Sequence, residues 1–104
     1  MKEILEKLDI DAKHLENILA ILKMHAPDST VIAFGSRVEF TAKSISDLDL
    51  AVQCDRETAQ KAIPRIVGDF QESDIPFNID VLDYNRLPDN IKKNIDGHFV
   101  KIYP

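Results

Sequence analysis

The spacing of apolar and polar residues predicts that the chain begins with helical structure. From Asp11, a favourable helix N-cap, apolar residues recur every three or four positions up to about Met24, which is typical of a helix that buries one face. Pro27 then ends the helix, because the residue before a proline avoids helical backbone. Residues 2–10 mix charged and apolar side chains, and their pattern leaves a helical turn and an ordered tail equally open.

Four short apolar segments predict strands. Residues 30–34 are apolar at nearly every position, as in a strand that is covered on both faces. Residues 77–82 alternate apolar with other side chains, which is the pattern of a half-buried strand. The other two predicted strands are an apolar run at 50–52, which ends near Cys54, and a final edge strand at 99–103.

The segments between these strands predict helices. Residues 57–70 are helical in pattern, but Pro64 lies in the middle, so two short helices and one kinked helix are both compatible with the sequence. Residues 88–96 predict a short polar helix that ends at Gly97. This order of elements predicts an α/β fold with a small mixed β-sheet and helices packed on one face. The 104 residues predict a single domain, residues 1–104.

Composition excludes several classes of function. A formal charge of -5 argues against sequence-independent binding to nucleic acid, which needs Lys and Arg to neutralise phosphates. The sequence has no apolar run of the ~20 residues that a membrane helix needs, and no signal peptide, so we expect a cytoplasmic protein. The single cysteine, Cys54, is interpreted as a small hydrophobe rather than a nucleophile. His14 and His25, on or near the first helix, are interpreted as solvated or helix-end residues rather than metal ligands.

Two carboxylates at the start of the second strand point to a metal site. Side chains alternate along a strand, so Asp47 and Asp49 are predicted to share one face, about 7 Å apart along the chain. Two unit charges about 5 Å apart repel by roughly 3 kcal/mol at an effective dielectric of 20, so such a pair favours protonation or a bound cation. Carboxylates with open coordination positions suit Mg²⁺, which takes further ligands from substrate phosphates.

A third carboxylate lies on the predicted strand at 77–82. The alternation puts Asp80 on the face opposite the apolar side chains, where a buried acid would need a partner or solvent. Asp83 lies one residue off that alternation and is predicted to belong to the end of the strand rather than to the metal site.

Residues 35–37 directly after the first strand predict an anion site. A glycine at a strand end, Gly35, lets a phosphate approach the backbone, and Ser36 adds a hydroxyl donor. Arg37 adds a fixed positive charge. Two other interpretations stay open: Ser36 capping a helical turn, and Arg37 pairing with a surface carboxylate.

The arrangement of these residues resembles a known signature. Gly35-Ser36, ten residues, Asp47-x-Asp49 and a later strand with Asp80 resemble the polymerase-beta-like nucleotidyltransferases, and more narrowly the minimal nucleotidyltransferases that act as antitoxins of HEPN-domain toxins. The resemblance runs from about Leu15 to Tyr103 and implies the nucleotidyltransferase palm.

The resemblance also implies a reaction and a partner. AMP would be transferred from ATP, with two Mg²⁺ ions, to a tyrosine hydroxyl of a HEPN-domain toxin. Asp47 and Asp49 would bind both ions, and Asp80 would bind the second ion and accept the hydroxyl proton. The phosphates would lie on residues 35–36, and Arg37 would neutralise charge on the leaving pyrophosphate.

A non-catalytic antitoxin that neutralises its partner by binding is the alternative hypothesis. It draws on Glu39 and Phe40, which stand where many relatives carry a basic residue and a glycine. Haloacid-dehalogenase-type phosphatases also use Asp-x-Asp, but their motif continues with Thr or Val where this chain has Ala51, and they need a longer chain. Glycosyltransferases with Asp-x-Asp need a much larger domain.

Overall fold

The computed structural model describes residues 1–43 and 46–104, so Ser44 and Ile45 of the loop before Asp47 lie outside the described residues. In chain order, the described elements are α1 (Lys2–Lys7), α2 (Ala12–His25), β1 (Thr30–Phe34), α3 (Ser36–Glu39), β2 (Leu48–Gln53), α4 (Arg56–Glu72), β3 (Ile79–Asp83), a 3-10 turn (Tyr84–Arg86), α5 (Asp89–Gly97) and β4 (Val100–Tyr103).

The strands form a mixed sheet in the order β3-β2-β1-β4. β1 lies in the centre and pairs antiparallel with both β2 and β4. β2 and β3 are parallel, because α4 carries the chain back to the starting end of the sheet between them. The predicted α/β class with a small mixed sheet is confirmed.

The main core lies between the sheet and the two long helices, α2 and α4. Alternate residues of each central strand face these helices, which is why Val31 and Ala33 are fully buried while Ile32 and Phe34, on the other face, are not. The core residues are Ile18 and Leu22 of α2, Ala62, Ile66 and Phe70 of α4, Val31, Ala33, Leu48, Leu50 and Val52 of β1 and β2, and Val100 and Ile102 of β4, with Leu8 and Ala26.

The helix predicted at 57–70 is one continuous helix, α4, with Pro64 inside it. A proline lacks the N–H that would bond the carbonyl four residues earlier, at Gln60. Both residues are exposed, so water hydrates that carbonyl and the helix continues. The N-terminal segment, left open by its pattern, forms a helix, α1.

Two predicted boundaries differ from the structure. The connection after β1, predicted as a loop, begins with a helical turn, α3, for which Gly35 is the N-cap residue. The third strand, predicted from Phe77, begins at Ile79, where its pairing with Leu48 starts. The strand predicted at the end of the chain is confirmed as β4, at one edge of the sheet.

α2 and α4 pack on one face of the sheet, as predicted, whereas α5 lies along the other face. Its residues Ile91 and Ile95 line a hollow together with Phe34 and Asp49, which are paired neighbours on β1 and β2. Ile95 is fully buried there. Among the described residues, no helix is both long and apolar enough to cross a membrane.

Candidate active site

Asp49 lies between the two other parts of the predicted site, the segment that begins at Gly35 and the strand that carries Asp80. It is the Cα partner of Phe34 on β1, the residue before Gly35, and of Asp80 on β3. Phe34, Asp49 and Asp80 therefore form one row across three adjacent strands. The sheet brings together residues that are separated by 15 and 31 positions in the sequence.

The carboxyl group of Asp49 is electrostatically strained. Burial raises its pKa above the usual 3.8, and the negative charges of Asp80 and Asp47 raise it further, as does a hydrogen bond between the Asp49 and Asp80 carboxyls. Asp47 lies just before β2 and is exposed, while Asp80 is exposed on β3. The predicted orientation of Asp80, away from the core-facing Ile79 and Val81, is what the structure shows.

These three acids are near enough to influence one another, but they do not form a closed metal cage. Among residues 1–43 and 46–104, no three His, Cys, Asp or Glu side chains are placed so that they could hold an ion together. Asp83, predicted to lie outside the site, ends β3 and accepts a hydrogen bond from the amide of Asn85 at 3.1 Å.

Gly35 makes room for the carboxylate of Asp49. Its φ of +86° and ψ of -157° fall in a region that is essentially reserved for glycine. A β-carbon built on Gly35 would lie 2.5 Å from Oδ2 of Asp49, which is too close for non-bonded atoms. The absence of a side chain at Gly35 thus places the backbone at the start of α3 directly against Asp49, which belongs to the acidic row of Asp47, Asp49 and Asp80.

Arg37 is buried, with only 6% of its surface exposed. Its guanidinium donates two hydrogen bonds to the carbonyl oxygen of Ser46, at 3.1 and 2.9 Å, and one to that of Asp9, at 2.9 Å. The guanidinium carbon lies 3.9 Å from the centroid of the Phe77 ring. Arg37 therefore fixes the backbone immediately before Asp47, a structural task that the sequence did not indicate.

The end of α3 has unusual backbone geometry. Phe40, the C-cap residue, adopts left-handed backbone with φ of 57° and ψ of 32°. This conformation favours glycine, yet the residue is a phenylalanine whose surface is 55% exposed. Glu39, the last residue of α3, is also exposed and lines a hollow beside Gly35.

Two hollows open on either side of Asp49. The β3 hollow, of about 370 Å³, is lined by residues of α4 and β3, including Val67, Phe70, Phe77, Asp80 and Leu82, and by Asp49. The α5 hollow, of about 300 Å³, is lined by Phe34, Gly35, Glu39, Asp49, Ile91, Asn94, Ile95 and His98. The contribution of α5 was not predicted. Ile91 and Asn94 are three residues apart and share one helix face, but their spacing does not indicate which face of the sheet the helix meets.

The cysteine and two of the histidines lie outside this site. Cys54 is half-buried, and burial, with Asp55 and Asp83 nearby, raises the pKa of its thiol, which opposes a nucleophilic role. His25 ends α2 and bonds a carboxylate oxygen of Asp69 on α4 at 2.6 Å. His14 lies edge-on to the Phe77 ring, with centroids 5.9 Å apart.

Comparison with known proteins identifies the family. Residues 16–104 match the family described as "Polymerase beta, Nucleotidyltransferase". The chain is also 38% identical over 96 residues to a protein of Haemophilus influenzae named "Probable protein adenylyltransferase MntA", an alignment that covers 92% of this chain and 84% of that protein.

The fold is also found in a solved structure described as "Crystal structure of the toxin-antitoxin with AMP-PNP". The match has a TM-score of 0.62 and 16% sequence identity, and it covers 86% of this chain and 72% of the other. That likeness extends to the fold alone, whereas the family match covers most of the chain, including all the residues of the acidic row. This chain therefore belongs to the polymerase beta nucleotidyltransferase family.

Proposed function

We propose that this protein transfers AMP from ATP to a hydroxyl group of a partner protein. The observation that carries the proposal is the position of Asp49, between the Gly35 backbone on one side and Asp80 on the other. A phosphate site and a site for the attacking hydroxyl would then meet at one carboxylate. The relative named as a probable protein adenylyltransferase supports the same reaction.

The chemistry of the three acids fits Mg²⁺. The pKa of Asp49 is raised partly because the neighbouring carboxylates repel its charge, and a cation would reverse that effect. Asp47, Asp49 and Asp80 offer only hard oxygen ligands, which Mg²⁺ prefers. Two bound ions would lower the pKa of the attacking hydroxyl and stabilise negative charge on the leaving pyrophosphate.

The backbone at the start of α3 is proposed to hold the phosphates. The amide of Ser36, the first residue of α3, has no acceptor within its own helix, and Gly35 allows close approach. The proposed contribution of Arg37 is to hold Ser46 and thereby place Asp47, since its guanidinium is committed to backbone carbonyls and to Phe77.

In the transfer step, the acceptor oxygen attacks the α-phosphorus of ATP. A new oxygen–phosphorus bond forms, the bond from the α-phosphorus to the bridging oxygen breaks, and pyrophosphate leaves. Asp80, exposed at the edge of the row, is positioned to take the hydroxyl proton. Gly35 and Ser36 would retain the β- and γ-phosphates during the step.

The proposed acceptor is a tyrosine of a HEPN-domain toxin, which the modification would silence. The resemblance of the sequence implies this partner, and the fold match to a toxin-antitoxin complex that contains AMP-PNP supports a role beside a toxin.

A non-catalytic antitoxin is the second candidate. Phe40 favours it, because the residue carries a backbone strain that glycine would avoid while it presents its ring at the surface. In this case Phe40 and Glu39 would belong to a binding surface, and the acidic row would have no role in neutralising the toxin.

The intact mass of the HEPN-domain partner, after incubation with this protein, ATP and Mg²⁺, separates the two candidates. We expect a gain of one or more AMP masses, which the double variant Asp47→Asn with Asp49→Asn abolishes. Asp83→Asn is the matched control, since Asp83 lies outside the row and should leave transfer intact. A stable complex without added mass would instead favour the non-catalytic antitoxin.

A further inference from the structure

The two hollows beside Asp49 are lined by different residues of the proposed site. The α5 hollow contains Gly35, where the phosphates of ATP are proposed to bind, whereas the β3 hollow contains Asp80, the proposed proton acceptor. Of the described residues that line these hollows, Asp49 borders both. A transferase needs two substrate sites that meet at the reacting phosphorus, and this geometry supplies them.

The lining of the β3 hollow fits a hydroxyl-bearing side chain. Val67, Phe70 and Phe77 form apolar parts of its wall, and its acidic end holds Asp49 and Asp80. Both hollows carry acidic side chains, Asp80 in the β3 hollow and Glu39 in the α5 hollow, so the assignment follows from Gly35, the proposed phosphate site, which lines only the α5 hollow of the two. A neutral hydroxyl on an apolar stem can pass these walls and reach the carboxylates. The volume of about 370 Å³ accommodates one side chain with its flanking backbone, but not a folded domain.

The rim of the β3 hollow fits a peptide backbone. β3 is the edge strand of the sheet, so the backbone groups on its outer side have no strand partner among the described residues. Such an edge can receive an extended segment of another protein through main-chain hydrogen bonds. The exposed amide side chains of Gln71 and Asn78 also line the hollow and add donors and acceptors beside the edge.

We infer that the β3 hollow is the acceptor site: an extended segment of the partner protein lies along β3 and directs its hydroxyl-bearing side chain past Val67 and Leu82 toward Asp80. The α5 hollow is left for the nucleotide, with Asn94 and His98 facing it. This inference rests on the proposed AMP transfer, and it assigns the two substrates to opposite sides of Asp49.

Steady-state kinetics with each substrate varied in turn tests the assignment. Leu82→Glu places a charge in the β3 hollow, and Val67→Trp fills it; both should raise the KM for the HEPN-domain partner roughly tenfold. The KM for ATP should stay unchanged in both. Asn94→Ala should show the opposite pattern, with a raised KM for ATP. Met24→Glu is the matched control, since Met24 is 72% exposed on α2 and lines neither hollow.

The outcomes separate this inference from the proposed function. Thermal melts first establish that Leu82→Glu and Val67→Trp are folded. If the unmodified protein transfers AMP and both variants keep the parental KM for the partner, the acceptor site lies elsewhere. The proposed AMP transfer is then unaffected. A raised KM for ATP in these variants would reverse the assignment of the two hollows. If the unmodified protein transfers no AMP, the proposed function fails and the acceptor site fails with it.

Discussion

Asp49 lies so close to Gly35 that a β-carbon on the glycine would be 2.5 Å from the Oδ2 atom of Asp49. Gly35→Ala should therefore displace the carboxylate and strain the backbone, which has a φ of +86°. We expect the free energy of unfolding to fall by about 1–3 kcal/mol. AMP transfer should fall by about 100-fold, since a displacement of this size misaligns the reacting groups.

Gly68→Ala is the control for this variant. Gly68 lies inside α4, and a β-carbon there would meet nothing within 4 Å. Alanine has a higher helix propensity, so this variant should gain about 0.5–1 kcal/mol and keep full activity. Urea denaturation and the transfer assay measure both variants. Equal effects of the two alanines on transfer would mean that the contact with Asp49 is unimportant.

Arg37→Lys should affect the site through the backbone before Asp47. A lysine ammonium cannot reproduce the paired hydrogen bonds to Ser46 or the flat contact with Phe77. We expect a loss of about 2–3 kcal/mol in the free energy of unfolding, typical of removing charge-assisted hydrogen bonds from a buried group. Arg65→Lys, at an exposed position of α4, should change stability little.

The kinetics of Arg37→Lys distinguish positioning from direct phosphate contact. If Arg37 acts by holding Ser46, the variant should lower kcat while the affinity for ATP without metal stays near that of the parent. A lost affinity for ATP under metal-free conditions, measured by calorimetry, would show that the guanidinium itself binds phosphate.

The raised pKa of Asp49 predicts a pH dependence of stability. Above that pKa, the charged carboxylate destabilises the folded state, because it is partly buried and repelled by Asp80 and Asp47. As the pH falls through it, the folded state takes up a proton before the unfolded state does, and the destabilisation disappears toward pH 3.8. Asp49→Asn should therefore stabilise the metal-free protein at neutral pH, and the gain should shrink with acidification.

Asp55→Ala should destabilise the protein at neutral pH, and this loss should shrink with acidification. Urea denaturation at a series of pH values, with EDTA present, measures the stability of both Asp55→Ala and Asp49→Asn. Hydrogen bonds from the hydroxyl and amide of Thr58 lower the pKa of Asp55, the N-cap residue of α4. Its contribution to stability is present above pH 3.8 and is lost as the pH falls through the lowered pKa. If the stability difference between a variant and the parent did not vary with pH, that result would contradict the pKa shift assigned to the substituted residue.

Phe40→Gly should relieve the left-handed backbone at the end of α3. Left-handed geometry costs an L-residue about 1–2 kcal/mol, and glycine removes that cost. Because glycine also has a larger conformational entropy in the unfolded state, we expect a net gain of only about 0.5–1 kcal/mol in the free energy of unfolding. Glu39→Gly, one residue earlier in right-handed helix, should instead lose stability. If Phe40→Gly loses as much as Glu39→Gly, the exposed ring contributes packing that its position does not reveal.

Much of the fold was predictable because the apolar pattern determines it locally. Residues 30–34 could be assigned to a strand because nearly every position is apolar, and Asp80 could be placed opposite the core-facing Ile79 and Val81 because the strand alternates. The continuity of α4 could not be predicted, because it depends on Pro64 and Gln60 both facing solvent, where water can take the place of the missing N–H of the proline.

The placement of the acidic residues was easier to predict than the surroundings of Arg37. Two aspartates at alternate positions repel wherever the strand lies, so their spacing alone indicated a shared site. The environment of Arg37 depends on Asp9 and Phe77, which are distant in the sequence and meet it only in the folded chain. The contribution of α5 was hidden for the same reason.

The edge position of β3 makes the proposed active site sensitive to local unfolding. Asp49 and Asp80 are directly paired across β2 and β3, and like charges at opposed positions weaken the pairing of two strands. A cation or substrate held between them binds only while β3 stays attached, so it stabilises that attachment in proportion to its concentration relative to its Kd. Bound ligand should therefore slow amide hydrogen exchange in β3 more than in β4, at the opposite edge. Ligand binding at the site and attachment of β3 to the sheet are thus thermodynamically coupled.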